Sequence, residues 1–250
     1  MSEAHEPLSD LPLDQVSAAV HHDHRHRSIG SGGARAAVFG ASDGLVSNVS
    51  LILGVAGANP SPGVVRLAGI AGLIAGAVSM AAGEYVSMRA QQELLERELA
   101  VEREAQRRHP ELELIELAKI YESRGMRPEL AHELAVTMMR DPEVALETHA
   151  REELGIDPDE LGSPLGAAAW SFGAFSAGAI VPLIPWLVGG GTAAVVASVV
   201  LGMLTAAVIG VILATFTGRS RWFSALRQTA IAVLAGAVTY LVGSLVGVGV

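Results

Sequence analysis

The chain has 250 residues, half of them hydrophobic, with 26 acidic against 17 basic side chains and no cysteine. Without cysteine there are no disulfides, thiolate ligands or thiol nucleophiles, so a bound metal must be held by oxygen, nitrogen or thioether. The formal charge of −9 argues against nucleic acid as a partner, since phosphates would be repelled.

Residues 1–33 are polar, carry His21, His22, His24 and His26, and end in a glycine-rich run. They read as a flexible tail that lacks the apolar run of a signal peptide. The first apolar stretch covers about 36–58, interrupted by Asp43, Asn48 and serines, and a Pro-Ser-Pro-Gly turn at 60–63 follows. A second stretch covers about 67–88 and is broken by Glu84. Three more lie at about 165–188, 192–216 and 226–249. Each is long enough, at about 1.5 Å per residue, to cross a hydrocarbon core of about 30 Å. The expectation is an all-α membrane protein with five transmembrane helices.

Between the second and third spans lies a segment of different character. Residues 89–160 hold 19 of the acidic and ten of the basic side chains, hence the whole net charge. Domains are therefore expected at 1–33 (tail), 34–88 (spans one and two), 89–161 (acidic helical bundle) and 162–250 (spans three to five). The bundle should contain a continuation of span two to Arg108, then helices at about 111–124, 128–140 and 142–154. Pro128 and Pro142 suit first helical turns, and Gly125 and Gly155 suit stops. Leu112, Ile115, Leu117 and Ile120 suggest one buried stripe on the first of these.

Arginine placement orients the spans. Arg25, Arg27 and Arg35 precede span one, the insert opens at Arg89, and Arg219, Arg221 and Arg227 fill the connection between spans four and five. All three regions become cytosolic if the N-terminus is inside, which puts the C-terminus outside. The pairs Gly40/Gly44, Gly72/Gly76 and Gly243/Gly247 permit close helix contact, either within the chain or across a homodimer. Pro182 and Pro185 are expected to kink span three.

Ionisable groups inside spans are costly and usually mark a path or a site. Asp43 is one, set among Gly40, Ser42, Gly44, Ser47 and Asn48. Met80 and Glu84 lie four apart, on one face of span two. A carboxylate with a thioether suits Fe²⁺ better than Mg²⁺ or Ca²⁺, which prefer all-oxygen shells. The plainer reading of Met80 is core filler. In the insert, Glu113 and Glu116, His149 and Glu153, and Glu98 and Glu102 have helical spacings that would let a bundle gather carboxylates around one imidazole; the plainer reading is solvated acidic faces. Glu129 and His132 match half of a di-iron bundle motif, which needs two copies, so no ferroxidase centre is expected. No phosphate-binding loop or nucleophile context is present, so neither ATP-driven transport nor enzymatic activity is expected.

The runs Ala37–Asn48, Ser79–Ser87, His149–Gly155 and Ser163–Ala169 resemble the vacuolar iron transporter family of iron and manganese transporters. The likeness covers about 33–250. It implies five spans, a homodimer with the path between subunits, a cytosolic metal-binding domain after span two, and proton-coupled export of Fe²⁺, with Mn²⁺ as a further substrate. No prosthetic group is implied. By this resemblance Asp43 and Met80 look like metal ligands of the path, and Glu84 matches the motif's glutamate. Glu102, Glu113, Glu116 and Glu153 look like carboxylate ligands of the appended domain. Where the family pattern leads one to expect a methionine pair before Glu153, the chain has His149-Ala150. Where a second glutamate would follow Glu102, it has Ala105. A membrane-anchored metal sensor or store is the competing expectation. The setting expected is a prokaryotic plasma membrane.

Overall fold

The computed structural model describes residues 32–155 and 162–247, with side chains from Ala37 onward. The histidines at 21–26 lie outside the described residues. In chain order the helices are α1 (Gly32–Gly57), α2 (Pro62–Arg108), α3 (Pro110–Ser123), α4 (Pro128–Met138), α5 (Pro142–Glu152), α6 (Pro164–Val188), α7 (Gly191–Thr217) and α8 (Arg221–Gly247). Among the described residues there is no strand. Five of the helices, α1, α2, α6, α7 and α8, are long and apolar enough to cross a membrane.

Prolines open α2 through α6, where the missing N–H is one of the donors a helix start leaves unpaired anyway. Asp141 caps α5 by accepting from the backbone N–H groups of Glu143 and Val144, and Ser163 caps α6 through Gly166 N–H. Each satisfies donors that the first turn leaves free. Gly125, Gly155 and Gly218 stand at positive φ after α3, α5 and α7, the conformation in which glycine ends a helix without strain.

Two boundaries differ from the sequence expectation. The connection between α7 and α8 is only Gly218–Ser220, so Arg221 and Arg227 sit within the first turns of α8 rather than in a loop. The left-handed Gly218 reverses the chain within three residues, leaving no longer link to hold them. In α3 the buried face is Glu113, Leu117 and Ala118, with Leu114 and Tyr121 packed against that core. Leu112 and Ile115 are 61% and 45% exposed. Glu113 takes the buried face with Leu117, and Leu112 and Ile115 lie on the other side of the helix. α6 continues unbroken through Pro182 and Pro185.

α1 is the central helix, packed on α2, α6, α7 and α8. Small residues make this possible. A Cβ on Gly44 would collide with the Phe175 backbone, and one on Gly178 with Ala41 of α1, so the two helices touch backbone to backbone. Gly243 and Gly247 lie likewise against Gly54 and Ala58. The Gly40/Gly44 and Gly243/Gly247 pairs therefore serve packing within the chain.

α2 has 47 residues, about 70 Å at 1.5 Å per residue, roughly twice a hydrocarbon core. Its C-terminal half carries the charged sequence and packs against α3 and α5. Leu117, Ala118 and Ala135 form a small core there, joined by Met138 and Met139. Arg124 reaches across to Glu152, which also accepts from the Tyr121 hydroxyl, tying the end of α3 to the end of α5.

Candidate metal centre

Among the described residues, two places collect metal-binding side chains. The first lies between the spans. A pocket of about 280 Å³ is lined by Asp43, Ser47, Asn48 and Leu51 of α1, by Gly72, Gly76, Ser79 and Met80 of α2, and by Phe175 of α6. Ser47 Oγ donates to Asp43 Oδ1 at 3.2 Å, which orients the carboxylate along its own helix. Asp43 is exposed at the side of the single chain. Met80 is half-buried, packs against Ala77, Phe175 and Ala179 and also lines the pocket. Glu84 is half-buried one turn further along α2 and does not line the pocket. A larger cleft of about 350 Å³ between α1, α7 and α8 is lined by Val, Leu, Ala, Gly, Met203 and Tyr240, and offers no carboxylate.

The second place is where α2, α3 and α5 meet. One ligand atom each from Glu102, Glu113 and His149 lie within 4.8 Å of one another. His149 is fully buried. Its Nε2 lies 3.8 Å from Glu113 Oε2 and 4.0 Å from Glu102 Oε1. Its Nδ1 is 2.9 Å from the Ala145 carbonyl. Nε2 also lies 3.3 Å from the Glu113 backbone carbonyl, so both ring nitrogens face acceptors, and Nε2 faces the two carboxylates as well. The contact between Nδ1 and the Ala145 carbonyl fixes the ring's orientation, as such contacts do in metal-ligating histidines generally. Gln106 donates to Glu102 Oε1 at 3.1 Å, and its amide nitrogen stands 3.3 Å from Nδ1.

The geometry is close to that of a coordination shell. Two bonds of about 2.1 Å at a tetrahedral angle put their donor atoms about 3.4 Å apart. The observed separations exceed this by roughly half an ångström, within reach of small side-chain rotations. All the oxygens around Nε2 are acceptors, so the space between them suits a positive centre.

Glu116 and Glu153 stand exposed beside the triad. Burial raises the pKa of the Glu113 carboxyl, and the negative field of Glu102 raises it further, against a partial offset from His149. The Glu153 carboxyl is likewise raised by desolvation, then by Glu102 and Glu116. Charges of Glu102, Glu113, Glu116, His149 and Glu153 thus act on one another. Such crowding of like charges around a buried imidazole is the condition that favours a divalent cation. Glu98 lies outside the triad, and Glu129 and His132 are both exposed on α4. Gln106 was missed by the sequence reading. The available signal was its place one turn beyond Glu102, where an amide can reach back to a carboxylate.

A helical protein with five membrane-crossing helices, hard and soft metal donors between them and a carboxylate–imidazole cluster on a helical extension is of the metal-ion transporter class. Residues 34–244 match the VIT family, and the chain belongs to that family. It is 38% identical to a vacuolar iron transporter of Acanthamoeba castellanii over 88% of this chain and 82% of the relative. It is 31% identical to vacuolar iron transporter 1 of Arabidopsis thaliana over 98% of this chain and 99% of that protein. Vacuolar iron transporter 1 of Oryza sativa subsp. japonica is 30% identical over 92% of this chain and 93% of its own length.

Proposed function

We propose that the chain moves Fe²⁺, and Mn²⁺ as a further substrate, out of the cytosol in exchange for protons. The observation that carries this reading is the pocket bordered by Asp43 and Met80 between helices long enough to span a bilayer. A store anchored in the membrane would need no such donors among its spans. The relatives' names, vacuolar iron transporters, support iron as cargo.

Charge supports the coupling. A divalent ion in a low-dielectric layer needs compensating negative charge, and carboxylates left without it are costly there. Exchanging protons for the ion at Asp43, with Glu84 one turn from Met80, keeps the path close to neutral in both states. The exposed position of Asp43 and the largely exposed apolar surface of α2 favour a second copy facing that side, with the path between two protomers. Arginines at 35, 89, 219, 221 and 227 favour an inside N-terminus and a cytosolic 89–161 domain. There Glu102, Glu113, Glu116, His149 and Glu153 would gather the ion before transport. This orientation serves a plasma membrane, as the compact connections favour, or a vacuolar one, as the relatives' names state; in both, the ion leaves the cytosol.

The test is reconstitution in liposomes with a lumenal Fe²⁺ dye, with and without a pH gradient. Gradient-dependent uptake that disappears in a monodisperse Asp43→Ala variant is the expected result. Metal binding without flux under either condition would instead support a sensor or store.

A further inference from the structure

The pocket beside Asp43 holds an oxygen that the protein itself leaves unused. Asn48 is 2% exposed, and its amide nitrogen donates to the Ala179 carbonyl of α6 at 2.6 Å. Because that carbonyl can only accept, the nitrogen must face it and Oδ1 must face the other way. Oδ1 is buried without a hydrogen-bond partner, and Asn48 lines the pocket with Asp43, Ser47 and Met80. Leaving a buried carbonyl oxygen unpaired is costly, so such exceptions ask for an explanation.

The facing helix keeps the space before this oxygen clear. A Cβ added at Gly72 would lie 3.1 Å from Oδ1, and it would also collide with Leu51. A larger residue at Gly72 would fill the space beside this oxygen. An unpaired carbonyl oxygen can accept a cation, whose charge the Asp43 carboxylate lining the same pocket would balance.

We infer that Asn48 Oδ1 is a further ligand of the transported ion, completing with the Asp43 carboxylate and the Met80 thioether a mixed oxygen–sulfur shell. This deepens the transport reading and rests on it. The amide carbonyl adds a hard donor without adding charge, so it biases the site toward Mn²⁺ and Fe²⁺ and away from softer ions such as Zn²⁺. Asn48 thus sets ion order, while Asp43 supplies the charge.

The test measures proteoliposome uptake of Mn²⁺, Fe²⁺ and Zn²⁺ by the full chain, with metal affinity and melting temperature in detergent. Asn48→Leu removes the oxygen at similar bulk. Asn48→Thr serves where that variant does not fold, because its hydroxyl can still donate to Ala179 but offers no carbonyl. The expected result is a rise in KM and Kd for Mn²⁺ on the order of tenfold or more, the scale for losing even an outer-shell partner, with Zn²⁺ affected less. Unchanged affinity and ion order in a folded variant would overturn the assignment. So would an equal loss for all three ions accompanied by a lower melting temperature, which marks a purely structural tie. Absence of flux in the unsubstituted protein would instead defeat the transport reading, and the metal affinities would still decide the ligand.

Discussion

Acidification should strip metal from the Glu102–Glu113–His149 cluster well before it would strip an ordinary exposed site. Unperturbed carboxylates titrate near pH 4, so an exposed acidic site keeps its affinity to about pH 5. Burial and neighbouring charge hold the Glu113 and Glu153 carboxyls above that range, so an arriving ion must displace their protons. Each such proton lowers affinity about tenfold for every pH unit below its group's pKa, so two together give about a hundredfold per unit. The sign for stability is opposite. These acids have folded pKa values above their unfolded ones, so the metal-free fold keeps their contribution on the acid side. It loses that contribution as pH rises through the folded values. Metal should therefore raise the melting temperature near neutrality and lose that effect on acidification. The assay is calorimetric titration of the Asp43→Ala protein with Mn²⁺, from pH 7.5 to 5, in two buffers of different ionisation heat. Net proton release and a fall in affinity beginning above pH 5 are expected. An affinity that falls no earlier on acidification than that of an exposed carboxylate site, with no proton release and in protein that remains folded, would refute the reasoning.

Other substitutions separate the two centres. His149→Leu keeps the bulk of a fully buried ring but removes its nitrogen; cluster affinity should fall by about 10–100-fold, read by the same titration. Met80→Leu is close to volume-conserving, so it should cost less than about 1.5 kcal/mol of stability while raising KM for Fe²⁺ uptake. Leu117→Ala empties a fully buried position and should cost about 2–5 kcal/mol, seen as earlier thermal unfolding with loss of cluster binding. Gly44→Leu drives a side chain into the Phe175 backbone, so α1 and α6 must separate; a broadened gel-filtration profile and lost uptake are expected.

The spans were legible because bilayer thickness imposes a length on apolar runs, and α1, α6 and α7 begin and end close to where those runs do, while α2 continues past its run to Arg108. α8 was misjudged at its start because Arg221 and Arg227 read as loop. Polarity marks a loop only when the connection is long enough to hold it, and three residues after a left-handed glycine are not. The cluster was legible in its members but not in its arrangement. Spacings of three and four place residues on one face of one helix; they do not say which face of α3 meets α5. The structure shows Glu113 inside with Leu117 while Leu112 and Ile115 face out, which hydrophobic periodicity alone would reverse. Asn48 was visible only as a polar residue near Asp43. Its unused oxygen depends on Ala179, 131 residues away, a pairing that no local pattern carries.

The two centres share one helix, and its continuity constrains how they cooperate. Met80 and Glu102 both belong to α2, 22 residues apart, or about 33 Å of helix. No proline interrupts the run between them, so α2 acts as a strut that fixes the cluster at a distance from the pocket. On the proposed transport reading, an ion could not pass directly between two sets of ligands that far apart on one helix. A cluster that held the ion very tightly would then starve the path, so raised carboxylate pKa values, which weaken binding, suit a collecting role. Removing the cluster with Glu102→Gln and His149→Leu together should raise the KM for uptake and leave kcat nearly unchanged, because the pocket is intact. Had the cluster belonged to the translocation step itself, kcat would fall instead, as it should when Asp43 is replaced. Steady-state uptake at saturating and limiting metal separates the two.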